Sequence, residues 1–222
     1  MASSFKLTLD TTPPSLAAVL NGGAPVTSLL KVPLALKITD PSRAGYQYKV
    51  WGDVSGGLTE EEAEWQTYGE AEELLTEAEL STGDGAKVVF VKARDDVWNE
   101  TTAKELTVEL NTSVPTITIT AGPTPTKISE IAGKRTSVFT FKADEAISQW
   151  KVEVVGEVGS AEGTGTEIPA TNGSVVSGAE VAGETNKEGS IDGRDYDAAV
   201  GADGEYIVKV FGKSKASGLW SI

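Results

Sequence analysis

The sequence predicts an all-β chain made of two tandem β-sandwich domains, and three observations carry that prediction. Along most of the chain apolar residues alternate with period two, the pattern of a half-buried strand, and not with the 3.6 period of a helix. Clusters of Gly, Pro, Asn and Asp punctuate these runs at short intervals. Finally, GDGAKVVFVKARDDVW at residues 83–98 returns as ADGEYIVKVFGKSKASGLW at residues 202–220, so one unit is used twice.

Each strand of the first domain follows from this alternation. Phe5, Leu7 and Leu9 predict a first strand, stopped by Asp10 to Pro14 because proline cannot donate to a ladder. Residues 15–30 are mixed, with a turn at Asn21, Gly22 and Gly23. Val32, Leu34, Leu36 and Ile38 predict a buried second strand, and residues 40–45 a turn. Tyr46, Tyr48 and Val50, alternating with Gln47, Lys49 and Trp51, predict a third. Residues 57–80 carry helix signals, Thr59 before three Glu and the spacing of Tyr68, Leu75 and Ala78, but Gly69 interrupts them. A loop carrying Trp65 and Tyr68 to the core edge, then a strand over 73–80, is favoured over a helix. In the repeated motif Val89, Val91 and Ala93 share one face, and Val88, Phe90 and Lys92 the other. Leu106, Val108 and Leu110 close the domain, giving about seven strands, as a sandwich needs.

The boundaries predicted are 1–111 and 115–222, joined by a link too short to be a free tether. Domain two restarts at Ile117 and Ile119, breaks at residues 122–125, and resumes with Phe139, Phe141 and Ala143. Trp150, Val152 and Val154 then repeat Tyr48 and Val50, with Lys151 matching Lys49. A Gly-rich insertion over 156–202 predicts one or two short strands and an exposed tip. In the second copy of the motif Tyr206, Val208, Val210 and Gly212 share a face. Only Ser221 and Ile222 follow Trp220, so residues 219–222 are either a stunted closing strand or leave an edge open to pairing.

Composition narrows the function classes. At 222 residues and 23.2 kDa, two domains of about 100 residues each are expected. With 39% hydrophobic and 23% charged residues the chain is globular, and no apolar run approaches the roughly 20 residues that span a bilayer. A net charge of -14 argues against nucleic-acid binding, which needs clustered Lys and Arg. Absence of Cys removes disulfides, zinc ribbons and thiol chemistry, and absence of His removes Ser-His activation and HExxH zinc sites. No cofactor is expected. The start MASSFKLTLD enters a strand pattern without a basic, apolar leader, so synthesis in the cytoplasm without a signal peptide is expected.

Few residues bear chemistry. Trp98 and Trp220 recur at the same place in the motif, which favours plugging the end of a sandwich over stacking on sugars. Candidate partner contacts are Trp51, Trp65 and Tyr68, then Asp192, Arg194 and Tyr196 in the insertion, and Leu219 and Ile222 at the end. Asp10, Asp84, Asp95 and Asp96 lie near strand ends and are weak calcium candidates without EF-hand spacing. Asp192, Asp195 and Asp197 could imitate a catalytic acid pair, but Gly-rich surroundings would not fix their separation, and no enzyme is expected. Asn99 and Asn172 match glycosylation acceptors by chance.

Residues 7–14 (LTLDTTPP), 80–95 (LSTGDGAKVVFVKARD), 98–101 (WNET) and 202–212 (ADGEYIVKVFG) make the chain resemble the bacterial immunoglobulin-like repeats of surface proteins and bacteriophage virion proteins. The resemblance implies two immunoglobulin-like sandwiches, a core Trp at Trp150, and a tyrosine corner in which the Tyr206 phenol bonds back to nearby backbone. It also implies a non-enzymatic tail, neck or head-decorating component of a tailed phage virion. Its partners would be other virion proteins, further copies of itself, or a host surface glycan. The rival expectation is a bacterial adhesin or carbohydrate-binding fragment.

Overall fold

Alternating apolar residues set eight strands in the first half of the chain: β1 (Ser15–Leu20), β2 (Val26–Thr27), β3 (Lys31–Thr39), β4 (Gln47–Gly52), β5 (Gln66–Thr67), β6 (Leu74–Glu79), β7 (Gly85–Arg94) and β8 (Lys104–Leu110). They come from a computed structural model that describes residues 4–40, 45–169 and 180–222. Backbone contacts divide the chain into two units, Met1–Asn111 and Thr112–Ile222.

In the first unit β1-β3-β6 form one sheet and β2-β8-β7-β4-β5 the other. Val32, Leu34 and Leu36 of β3, fully excluded from solvent, share a core with Val89, Val91 and Ala93 of β7, which are equally buried. Period two therefore reports the inner face correctly on both sheets. It fails on β4, where Lys49 and Trp51 of the supposed outer face are also buried, because the segment carrying Glu60 folds over them and Lys49 donates to the Glu60 carbonyl at 2.9 Å. The expected strand over residues 5–9 is absent. Phe5, Leu7 and Leu9 stand 89%, 87% and 86% exposed, and β1 instead pairs with β3. The segment has strand propensity, but a strand needs a ladder partner, and both edges of β3 are already taken by β1 and β6.

The second unit repeats the plan with β9 (Ile117–Thr124), β10 (Thr136–Ala143), β11 (Ile147–Val155), β12 (Thr166–Glu167), β13 (Lys187–Asp192), helix α1 (Gly193–Val200) and β14 (Ile207–Ser214). Its sheets are β9-β10-β13 and β12-β11-β14. Trp150, 1% exposed, anchors the core between Phe141 (5.0 Å between centroids) and Phe139 (6.3 Å, edge-on). The expected break at residues 122–125 comes at its far side, since β9 ends at Thr124. β9 runs through Pro123, an edge-strand position where a missing N–H is tolerated, and the register against β10 shifts there instead. The insertion yields β12 and β13 as expected, but also α1, which was not. Its signals were present: Asp192 accepts from the Arg194 N–H as N-cap, and Gly201 closes the helix in the left-handed region (φ 69°). Residues 170–179 of the insertion, in which an exposed tip was expected, lie outside the described residues.

Both units are immunoglobulin-like β-sandwiches, with β1, β3 and β6 matching β9, β10 and β13, and β4, β5 and β7 matching β11, β12 and β14. β8 has no counterpart among the described residues of unit two, so β14 is a sheet edge. The two motif endings diverge at a definable residue. In unit one Arg94 bridges Glu100, Ala93 N–H donates to Thr101 Oγ1 (3.0 Å) and Thr101 N–H to Ala93 O (2.9 Å), before the chain enters β8. In unit two Lys213 bridges Trp220, Gly212 N–H donates to Ser221 Oγ (3.1 Å) and Ser221 N–H to Gly212 O (2.8 Å). Trp220 thus occupies the place of Glu100 and not that of Trp98. The four closing residues form a stunted strand, with Leu219 half-buried and Ile222 79% exposed.

Candidate functional site

Three groups of residues merit description, and the first is the outer face of β4 and β7. Because side chains alternate, Gln47, Lys49 and Trp51 of β4 lie beside Arg94, Lys92 and Phe90 of β7, their register partners. Trp51 stacks on Phe90 (5.6 Å) beneath Lys49, whose ammonium also stands 5.0 Å from the Trp65 ring. Arg94, held by Gln47 Oε1 at 2.7 Å, lies between Trp65 (4.3 Å) and Trp98 (4.9 Å). The result is a cation-π ladder, Trp98–Arg94–Trp65–Lys49–Trp51. At its side Lys92 joins Glu60 (2.6 Å) and Glu100 (3.0 Å). The Glu60 hydrogen bond, with Glu100 adding to it, raises the Lys92 pKa, and Lys92 in turn holds the Glu60 carboxyl below the usual glutamate range.

This face corrects several expectations. Trp51 and Tyr68 are buried and are not contact residues. The Tyr68 hydroxyl donates within the core to Leu36 O at 3.0 Å. Trp65 is half-buried, while Trp98, expected to plug the sandwich, is 70% exposed with φ 69°. The exposed aromatic of the ladder is therefore one the sequence had placed inside. Its turn conformation and its neighbours Asp95 and Asp96 were the available clue.

Unit two builds the same position differently. Lys151, at the place of Lys49, binds Glu153 (2.7 Å) and Glu162, with the Trp220 ring 5.0 Å away. Glu153, 1% exposed, also accepts the N–H groups of Gly163 (3.0 Å) and Gly165 (3.2 Å). Burial alone would raise the Glu153 pKa, but Lys151 and the two glycine N–H groups outweigh it and hold the carboxyl low. Burial likewise opposes the Lys151 charge, and Glu153 and Glu162 raise its pKa in spite of that. Nearby, Asp192 is buried and bound by Arg194, Asp195 is buried, and Tyr196 packs its ring edge-on against Tyr206 at 6.0 Å. Of the insertion's contact candidates only the Arg194 side chain stands substantially exposed, at 43%. The implied tyrosine corner is present: Tyr206 Oη donates to Ala202 O at 2.9 Å.

Among the acidic candidates the fold brings together Asp10, Asp95 and, unforeseen, Asp40, with carboxylate oxygens within 4.8 Å of one another. Such a donor set suits a hard cation. The Asp95 oxygens, however, already accept from the N–H groups of Val97 (3.0 Å) and Asn99 (2.8 Å) and from Asn99 Nδ2 (2.8 Å). Asp84 sits before β7, at the opposite end of that strand from Asp95, and Asp96 is exposed. Asp40 ends the run of β3, so its approach depends on a tertiary contact that spacing does not encode.

The third feature is the free edge of β14. Val89 and Val91 of β7 are fully excluded from solvent, whereas their counterparts Val208 and Val210 remain half-buried.

No protein-family model matches the chain, and no curated protein matches it. Solved structures similar to it include the PKD domain of an M14-like peptidase from Thermoplasmatales archaeon SCGC AB-540-F20 (20% identity, 46% of this chain and 98% of that one, TM-score 0.35). Others are the FN1–FN3 domains of chicken CNTN1 (11% identity, 95% and 64%, TM-score 0.36) and chitinase ChiA74 from Bacillus thuringiensis (13% identity, 92% and 30%, TM-score 0.31).

Proposed function

We propose that this chain is a non-enzymatic structural and attachment module that works by protein-protein contact, as a tail, neck or head-decorating component of a tailed bacteriophage virion. The observation that carries the attachment reading is the open edge of β14, a row of backbone groups ready to receive a strand. The virion setting rests on the resemblance of residues 7–14, 80–95, 98–101 and 202–212 to phage immunoglobulin-like repeats. Many weak contacts on one particle would add up through avidity. A peptide mass-spectrometric inventory of purified particles tests the setting: the chain is expected at fixed ratio to the major capsid protein, and its absence from particles would overturn it.

A second reading, host glycan contact, is favoured by Trp98, which is 70% exposed and joined to the half-buried Trp65 through Arg94. Rings so placed could stack on a sugar face. On a glycan array this reading expects a preference lost in Trp98→Ala, and an array with no signal removes it.

A further inference from the structure

The exposed segment at the start of the chain and the open edge near its end are complementary. Residues 104–117 run KELTVELNTSVPTI and residues 3–16 run SSFKLTLDTTPPSL. Aligned on Leu110-Asn111-Thr112-Ser113-Val114-Pro115 and Leu9-Asp10-Thr11-Thr12-Pro13-Pro14, Phe5, Leu7 and Leu9 fall on Leu106, Val108 and Leu110 of β8. Both Pro115 and Pro14 are buried and each leads into its unit. Residues 5–9 therefore have the sequence of a closing strand, placed ahead of a unit that already has one. In unit one that closing strand sits on β7, with pairs Val89↔Leu106, Lys87↔Val108 and Gly85↔Leu110, and Val108 and Leu110 are 3% and 1% exposed. Unit two has no such strand among the described residues.

We propose that residues 4–9 of one copy supply the missing closing strand to β14 of a second copy, joining chains head to tail. The inference rests on the attachment reading above but not on the virion setting. Transposing the unit-one register pairs Phe5 with Val208, Leu7 with Tyr206 and Leu9 with Gly204. The backbone is ready on the acceptor side. In an antiparallel strand a residue's N–H and C=O point the same way and alternate sides along the chain. Gly212 turns both toward Ser221, so Val210 and Val208 turn theirs to the same open side. The side chains fit as well, because Phe5 and Leu7, now almost wholly in solvent, would cover the half-buried Val208 and Tyr206 as Leu106 and Val108 of β8 cover Val89 and Lys87. Charge permits the contact: the segment carries Lys6 and no acid, in a chain of net charge -14. Such an interface is heterologous, so it generates open strings or rings of copies in place of a symmetric dimer.

Two variants test this on the full 222-residue chain. Leu7→Asp disables the donor segment, which lies outside both cores. Val208→Pro removes the N–H offered by the acceptor edge, at a position where proline is tolerated. Light scattering coupled to size exclusion should show the unmodified chain growing in mass with concentration, and each variant alone as a monomer. Mixed, the two variants should form a 1:1 dimer and nothing larger, since Val208→Pro still donates and Leu7→Asp still accepts. A peptide of residues 4–10 should compete with that dimer. An unmodified chain that stays monomeric from micromolar to millimolar concentration, or oligomers indifferent to Leu7→Asp, or a mixture that yields no dimer, would each overturn the proposal. A chain found in particles yet failing the mixing test would leave the proposed function standing and remove this inference.

Discussion

The first unit covers β7 with β8 and surrounds its buried lysine with rings, a backbone carbonyl and, at 3.6 Å, the half-exposed Glu60 carboxylate. The second leaves β14 at an edge and pairs the equivalent lysine with two carboxylates. The residue two places after that lysine decides the second difference, being Trp51 in one unit and Glu153 in the other. A shared sandwich therefore does not dictate how a strand-centre cation is satisfied. A cation-π contact leaves the lysine partly reliant on polarizable neighbours, whereas a buried ion pair makes each partner costly to lose alone.

Six substitutions and one titration would break or sharpen this contrast, in falling order of the larger effect in each comparison. Glu153→Ala leaves Lys151 with Glu162 alone and strips the Gly163 and Gly165 N–H groups of their acceptor, and should destabilise unit two by about 3 kcal/mol in chemical denaturation. Val91→Ala should cost about 2–3 kcal/mol, and Val210→Ala at the matching but uncovered place only about 1 kcal/mol. Equal costs would show that β8 adds nothing to the burial of its neighbours. Tyr68→Phe removes a buried hydroxyl bonded to Leu36 O and should cost about 1–1.5 kcal/mol, and Tyr206→Phe at the exposed corner about 0.5 kcal/mol. Glu60→Gln, on a half-exposed ion pair, should cost under about 1 kcal/mol and less in high salt.

Acid should weaken both units. A carboxyl whose folded pKa is lowered contributes stability above its unfolded pKa, and that stability is lost as pH falls through the folded value. Both Glu153 and Glu60 are of this kind, so both units weaken below the ordinary glutamate range. Protonating Glu153 also breaks a buried pair, so amide exchange in unit two should accelerate as pH falls through that range. At the alkaline end the raised Lys151 and Lys92 contribute stability below their unfolded pKa that is lost as pH rises through the folded values.

Much of the sandwich was legible because burial on one face writes itself into alternation: Leu34, Leu36, Phe139, Phe141, Val89 and Val91 all lie where period two puts them. The core Trp150 and the Tyr206 corner, drawn from resemblance, are also where expected. What failed was whatever depends on a partner. Phe5, Leu7 and Leu9 read as a strand although no ladder among the described residues receives them, and Trp51 read as outward although a long connection covers it. Trp98 and Trp220 looked equivalent in sequence, yet six residues separate Lys213 from Trp220 where three separate Arg94 from Trp98, which puts the second tryptophan on the site of Glu100. The site residues suffered most, since Asp40 and Glu60 act through contacts that local spacing does not record.

The solvated stretch at residues 5–9 has one more consequence, for handling. A protease with an apolar preference finds Phe5, Leu7 and Leu9 on accessible backbone, while the same residue types elsewhere are largely locked in cores. One cut there would leave both sandwiches folded and the mass almost unchanged. A clipped preparation would pass most checks of integrity, so the intact mass of the first few residues should be verified before any behaviour is ascribed to the whole chain.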